Sequence, residues 1–290
     1  NNFNYVLWNF TKDNSEEEIS IYLKKRFRNE KLKATQKPFS GLIRTQDGQE
    51  IKNLTSKNVD EEFFIFGNEK NLFFGKVFEK CDYEKLEARD MQKPVRREEL
   101  AISPRLAKIM VNLSQAKDYE KILDPFCGIG VVLQEALLQK IDVVGIDKNR
   151  DAVKGCIKNM EWFNFPRKHY KILSGDSTRM KISEKINAIV SEPDLGKILK
   201  KIPKDSEAKT TLENFEKLII GVVNNFKNNL EKGSRLIFTA PLIKLHSGKR
   251  ISCDSGKIAN ETGFVVSDGF PIKEFRENQI VGREIFVLKR

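Results

Sequence analysis

Ile122-Leu123-Asp124-Pro125-Phe126-Cys127-Gly128-Ile129-Gly130 decides how this chain is read. Apolar residues run into an acid, a proline turn follows, and two glycines stand one residue apart. Val131 to Leu138 continues as an amphipathic run. The pattern predicts a buried strand, a tight glycine loop and a helix start. Such a loop lets a nucleotide-like ligand meet bare backbone at a helix N-terminus.

The residues downstream fit the rest of a cofactor-binding sheet. Asp142-Val143-Val144-Gly145-Ile146-Asp147 predicts a second strand ending in an acid, with Lys148 beside it. Asp147 lies 17 residues past Gly130, a spacing that suits a carboxylate gripping a ribose. A dinucleotide and S-adenosylmethionine share that logic. A dinucleotide fingerprint wants a third glycine at the position of Leu133, for close packing around the pyrophosphate. Asp124 would repel a diphosphate and suits a cationic sulfonium. The loop, with Pro125, Phe126 and Cys127 between its acid and its glycines, therefore favours S-adenosylmethionine.

Tyr170–Leu173 predicts a third strand, followed by Gly175-Asp176-Ser177. Asp176 either accepts the adenine amino group or caps a turn. Lys185–Ser191 predicts a fourth strand, ending in Glu192-Pro193-Asp194-Leu195-Gly196. Thr210 and Glu213 read as a capping box for a long helix that Gly233 ends. Arg235–Thr239 predicts a fifth strand. Gly263–Ser267 and Ile280–Leu288 predict two more, with no helix-length segment between them, hence a closing antiparallel hairpin. Trp162, Phe163 and Phe165 read as core. Lys197, Lys200, Lys201 and Lys204 either hold phosphates or form a solvated loop.

Upstream, Phe3–Phe10, Phe39–Arg44, Glu61–Phe66 and Leu72–Phe78 read as strands, with a turn at Asn68-Glu69-Lys70-Asn71. Ser15 ahead of Glu16, Glu17 and Glu18 starts a helix. A small α+β module with an antiparallel sheet is expected over residues 1–84, with Phe63, Phe64, Phe66, Phe73 and Phe74 in its core. Residues 85–100, with Arg89, Asp90, Arg96 and Arg97, read as a charged linker that holds phosphates or cements the domains. Ser103-Pro104 then opens a helix with Leu106, Ile109, Met110 and Leu113 on one face.

Bulk properties bound the partners. Of the 290 residues, 52 are Lys or Arg and 41 Asp or Glu, giving a net charge of +11. Residues 101–290 carry 33 of those bases against 23 acids, so the excess sits there. That favours a polyanionic partner, or else a lysine-rich surface that only aids solubility. No apolar run approaches the roughly 20 residues of a membrane helix, and none reads as a signal peptide. The chain opens on Asn1-Asn2, so the gene product is expected to extend further. Four scattered cysteines, Cys81, Cys127, Cys156 and Cys253, with two histidines make a metal site unexpected and fit a reducing, cytoplasmic location.

The segments Asp124–Gly130, Asp147, Gly175-Asp176-Ser177 and Ser191–Gly196 together resemble class I S-adenosylmethionine-dependent methyltransferases that modify exocyclic amines. The likeness is strongest to the archaeal and eukaryotic tRNA guanine-N2 methyltransferases, which carry an N-terminal THUMP-type RNA-binding domain. Arg89-Asp90, Pro94-Val95-Arg96 and Pro104–Leu113 look like that family's lead-in. The resemblance implies an α/β, Rossmann-like seven-stranded sheet with an antiparallel last strand over residues 101–290, after a THUMP-like domain over 1–84. It implies methyl transfer to a guanine N2 amine in tRNA. Asp124, Gly128 and Gly130 would border the methionyl part, Asp147 the ribose and Asp176 with Ser177 the adenine. Glu192 takes the acceptor place of the family's Asp/Asn-Pro-Pro-Tyr/Phe motif and Pro193 its first proline. Asp194 and Leu195 depart from the second proline and the aromatic. Some relatives work with a small zinc-binding activator. Two other readings remain at this point: an amino-group DNA methyltransferase, and a non-catalytic RNA-binding scaffold.

Overall fold

The computed structural model describes residues 2–11, 15–37, 42–44, 50–52, 59–67, 71–79, 82–97, 102–196, 199 and 201–290. Phe39, the 68–70 part of the expected turn, Cys81, Lys197 and Lys200 lie outside them. The chain forms two compact units, Asn1–Asp82 and Tyr83–Arg290.

The first unit contains β1 (Asn2–Asn9), α1 (Ser15–Asn29), β2 (Lys33–Gln36), β3 (Leu42–Arg44), β4 (Glu50–Lys52), β5 (Glu61–Gly67) and β6 (Leu72–Lys76). Four strands make one sheet in the order β2-β1-β5-β6. The expected antiparallel sheet is corrected here. β1 runs parallel to both β2 and β5, and only β5–β6 is antiparallel. The reason is α1, which carries the chain back before β2 begins, so β2 runs the same way as β1.

The core of this unit is Tyr5, Leu7, Leu23 and Ile65, with Phe27 and Phe63 packed against it. The aromatics expected in the core divide by strand alternation. Ile65 points inward, so Phe64 and Phe66 take the other face. Phe66, Phe73 and Phe74 are 45%, 50% and 49% exposed, and Phe66 stacks on its cross-strand neighbour Phe73 at 5.0 Å.

The second unit begins earlier than the sequence suggests. Residues read as linker form α2 (Tyr83–Met91). Arg89 on α2 donates Nε and Nη2 to the buried Glu135 at 2.9 and 3.0 Å. Val95 exchanges two backbone hydrogen bonds with the Asn159 side chain. These groups bind the lead-in to the larger unit. A flexible linker would leave them in water.

Next come α3 (Pro104–Ser114), β7 (Lys121–Asp124), α4 (Val131–Leu137), β8 (Asp142–Asp147), α5 (Arg150–Trp162), β9 (Tyr170–Ser174) and β10 (Ile186–Ser191). Then follow α6 (Asp205–Phe226), β11 (Leu230–Lys244), β12 (Arg250–Ile251), α7 (Ser255–Thr262), β13 (Val265–Val266), β14 (Ile272–Glu274) and β15 (Val281–Lys289). Ser103 caps α3, its side chain accepting from Leu106 N at 3.2 Å. α6 starts five residues before the expected capping box. The Glu207 carboxylate accepts from Lys204 N, and the Thr210 hydroxyl only donates back to the Ser206 carbonyl.

The main path of the large sheet is β13-β15-β11-β10-β7-β8-β9, with β12 and β14 added at β11 and β15. β15 is antiparallel to β11 and β13, and the strands from β9 to β11 are parallel. This is the Rossmann-like sheet with its antiparallel last strand. Ile122 and Val143 face a core shared with α3, α4 and α5, while Leu123 and Val144 face one shared with α6 and α7. Strands covered on both faces must be apolar throughout, which is how β7 and β8 read.

The end of α5 departs from expectation. Trp162, the last residue of α5, is 40% exposed and packs edge-on against Phe163.

Candidate active site

The chain enters the sheet at β7, moves outward to β8 and β9, then crosses back to β10 on the other side of β7. That reversal opens a crevice at the carboxyl ends of β7 and β10, where α/β sheets take their ligands. Asp124 ends β7 and Ser191 ends β10, so residues far apart in sequence become neighbours.

The glycine loop has the geometry the sequence predicts. Gly128 and Gly130 adopt φ of 53° and 89°. A Cβ on Gly130 would meet Cys156 Sγ at 2.6 Å and Met160 Cε at 2.7 Å, so the loop must be bare there. A Cβ on Gly128 would meet nothing within 4 Å, which leaves its surface open. Leu133, where a dinucleotide site wants glycine, is fully buried, and a Cβ on Gly145 would lie 2.5 Å from it. The close helix–strand packing is achieved by a glycine in the strand instead of one in the helix.

A cleft gathers Asp124, Phe126, Cys127 and Gly128 with Glu192, and adds Arg97, Ile102 and Val131. Asp124 is 2% exposed. Its Oδ1 accepts from Phe126 N at 3.1 Å and from the Ser191 hydroxyl. Burial pushes its pKa up to about 7, with the nearby Asp147 and Glu192 carboxylates adding to the rise and both hydrogen bonds opposing it. Glu192 is likewise raised, first by burial, while Arg283 pulls it down. Two carboxylates held uneasily in one cleft favour a cationic guest.

The other expected residues are not among those that line this cleft. Asp147 accepts from Gly128 N at 2.9 Å and from Asn149 N at 2.8 Å, one on each oxygen. Each oxygen keeps a lone pair for a ribose hydroxyl. Lys148 is exposed. Asp176 accepts from the backbone and hydroxyl of Thr178, which lowers its pKa, so it caps a turn. The Ser177 hydroxyl donates to the Pro125 carbonyl at 2.5 Å and ties the third strand's loop to the glycine loop. Pro193 is buried. Asp194 accepts from Gly196 N at 3.0 Å, and Leu195 packs against the α6–α7 core. Cys127 is buried with its thiol pushed well up by Cys156 and by burial, which makes it a poor nucleophile.

Residues 93–241, half of the chain, match the UPF0020 family model, described as an RMKL-like methyltransferase domain. The chain belongs to the UPF0020 methyltransferase family. Two curated proteins named tRNA (guanine(10)-N2)-dimethyltransferase are similar to it. The one from Methanothermobacter thermautotrophicus is 34% identical over 141 residues, covering 49% of this chain and 39% of that protein. The one from Pyrococcus abyssi is 37% identical over 127 residues, 43% of this chain and 35% of that protein. The chain therefore spans well under half the length of these relatives. In fold it is similar to TrmN from Thermus thermophilus, with a TM-score of 0.50 at 13% identity, covering 100% of this chain and 72% of that one. The UPF0020 match runs from the lead-in at Lys93 through the glycine loop and the Glu192 segment.

Arg97 and Ile102 are the cleft residues that motif reading undervalued. Arg97 had a signal, a paired arginine ahead of the domain, but nothing in the sequence says that it borders the glycine loop. Arg283 had none. It lies 91 residues from Glu192, and only strand register brings the two together.

Proposed function

We propose that this chain transfers a methyl group from S-adenosylmethionine to the exocyclic N2 amine of a guanosine in tRNA. The observation that carries the reading is the meeting of Asp124 and Glu192 across the open glycine loop. The fit to the cofactor is chemical. Gly128 leaves bare floor, Asp147 keeps free lone pairs, and the desolvated Asp124 is stabilised in its charged form by a cation. A diphosphate would meet Asp124 as a like charge. Bound here, S-adenosylmethionine supplies a methyl group on a positively charged sulfur.

The chain's own part is to hold and activate the amine. A guanine amine is a weak nucleophile because its lone pair is delocalised into the ring. The Glu192 carboxylate accepts one amine hydrogen and a backbone carbonyl of the Glu192–Leu195 segment accepts the other, which draws the nitrogen toward tetrahedral geometry. The amine proton released on methylation passes to Glu192 and then to water. Leu195 gives up the base stacking an aromatic would provide, worth roughly 1–3 kcal/mol.

The names of the curated relatives support tRNA, as does the basic excess over residues 101–290. The first unit, Asn1–Asp82, is then a THUMP-like RNA-holding domain, the second, Tyr83–Arg290, is the methyltransferase domain, and the protein acts in the cytoplasm. Among the described residues no helix is long and apolar enough to cross a membrane. Nothing in the comparisons supports a zinc-binding activator subunit.

Transfer of tritium from labelled S-adenosylmethionine, measured on bulk tRNA and on DNA beside calorimetric cofactor binding, tests the reading. Transfer to tRNA is expected, with Glu192→Gln about 10²-fold slower. Full rate in Glu192→Ala removes the catalytic assignment. A second reading, a scaffold that binds cofactor without transfer, is favoured by one observation. Asp194 is turned into its own loop and Leu195 into the core, so neither rebuilds the motif's second proline or aromatic. Binding without transfer to any nucleic acid would establish it.

A further inference from the structure

Arg283 stands on β15, opposite Glu274 of β14 on one side and Pro241 of β11 on the other. Its Nε donates to Glu192 Oε1 at 2.5 Å, and its Nη1 lies 3.8 Å from Glu274 Oε2. The Glu192 side chain is 10% exposed and that of Arg283 is 24% exposed. One guanidinium thus joins the carboxylate in the cleft to a second carboxylate on the neighbouring strand. Thr239 on β11, fully buried, comes near enough to the Glu192 carboxyl to lower its pKa, yet its hydroxyl completes no hydrogen bond among the described residues.

A pair this deep is a poor stabiliser of the fold, because desolvation offsets most of the attraction. What it does is geometric. A carboxylate offers lone pairs on two oxygens, and Arg283 takes up Oε1. Oε2 has no hydrogen-bond partner among the described residues, and Glu192 lines the cleft. We propose that Arg283 is a positioning residue for amine methylation, pinning Glu192 Oε1 so that Oε2 is turned to the target amine. This rests on the proposed function.

The same contact sets the charge of Glu192. Burial raises its pKa most, the Arg283 cation and hydrogen bond lower it, Glu274 raises it, and Thr239 lowers it. Across the cleft the Asp124 carboxylate repels it, and Arg97 is the cation bordering the same space. A carboxyl that also takes up the amine proton must be ionised to do so. Loss of Arg283 therefore both frees the carboxylate to rotate and moves its titration upward.

The test is a carbon-13 NMR titration of the full chain labelled at glutamate side-chain carboxyls, with Glu192 identified by the signal missing in Glu192→Gln. Arg283→Gln is expected to raise the Glu192 midpoint by about one pH unit or more, and Arg283→Lys to raise it less. Glu274→Gln, at a half-exposed position, is expected to lower it, which keeps the test decisive where Arg283→Gln does not fold. The acid limb of methyl transfer to tRNA should move with each midpoint, with kcat falling in the Arg283 variants only and the KM for S-adenosylmethionine unchanged. A Glu192 midpoint equal in wild type, Arg283→Gln and Glu274→Gln overturns the proposal, whatever the transfer assay gives. Shifted midpoints in a chain that methylates no nucleic acid overturn the proposed function instead, since the coupling would then exist without the chemistry.

Discussion

Replacing Asp124 by asparagine separates the cost of the site from its use. Asp124 is fully desolvated and titrates at about 7, against roughly 3.9 in an unfolded chain. A carboxyl raised in this way contributes stability that is complete below about pH 4 and is lost as pH rises through about 7. Between about pH 5.5 and about pH 8.5 the loss covers roughly 1.5 of the pH units separating the two values, or about 2 kcal/mol. Asp124→Asn keeps an oxygen for the Ser191 hydroxyl and Phe126 N–H but cannot ionise. Wild type should therefore lose ground to the variant across that window by about 4–8 °C in Tm, for a unit of roughly 200 residues. Differential scanning calorimetry without ligand reads this directly. The same substitution should weaken S-adenosylmethionine binding at about pH 8.5 by tenfold or more, since the opposite charge is gone. Parallel Tm profiles for the two proteins across the window would refute the claim that a buried, ionisable carboxyl shapes this cleft.

Other outcomes follow from the same geometry. Gly130→Ala should cost about 1–3 kcal/mol in chemical denaturation, because φ is 89° and the new methyl meets Cys156 and Met160; an unchanged midpoint would mean the loop relaxes freely. Arg89→Leu strands the buried Glu135 carboxylate without its partner and should cost about 3–5 kcal/mol. That loss tests whether α2 is part of the methyltransferase unit, since a linker residue would cost almost nothing. Phe66→Ser, on the exposed face of the first unit, should change stability by less than about 1 kcal/mol.

Much of the site was legible in the chain itself because its signals are local. A strand, a glycine loop and a helix start are neighbours in sequence, so Asp124, Gly128, Gly130 and Asp147 could be placed from spacing alone. The closing hairpin followed from the lack of a helix-length segment between Gly263–Ser267 and Ile280–Leu288, and β13 pairs antiparallel with β15. Local signals failed where a long-range partner decides. The stretch 85–100 looks like a linker until Glu135 and Asn159 come up to meet it. The first-unit phenylalanines look like core until strand alternation sends Phe64 and Phe66 to the face away from α1. Thr210 and Glu213 fit a capping pattern that Glu207 fulfils instead.

The sequence by itself determined that the chain carries a Rossmann-like sheet with a glycine loop suited to S-adenosylmethionine, because those properties are written in the periodicity and spacing of adjacent residues. Only the tertiary structure decided which charges face one another in the cleft. Ser191 reaches Asp124 because β10 lies beside β7, and Arg283 reaches Glu192 because β15 turns back antiparallel beside β11. Contacts of that kind depend on strand register, and register is set by the packing of the whole sheet.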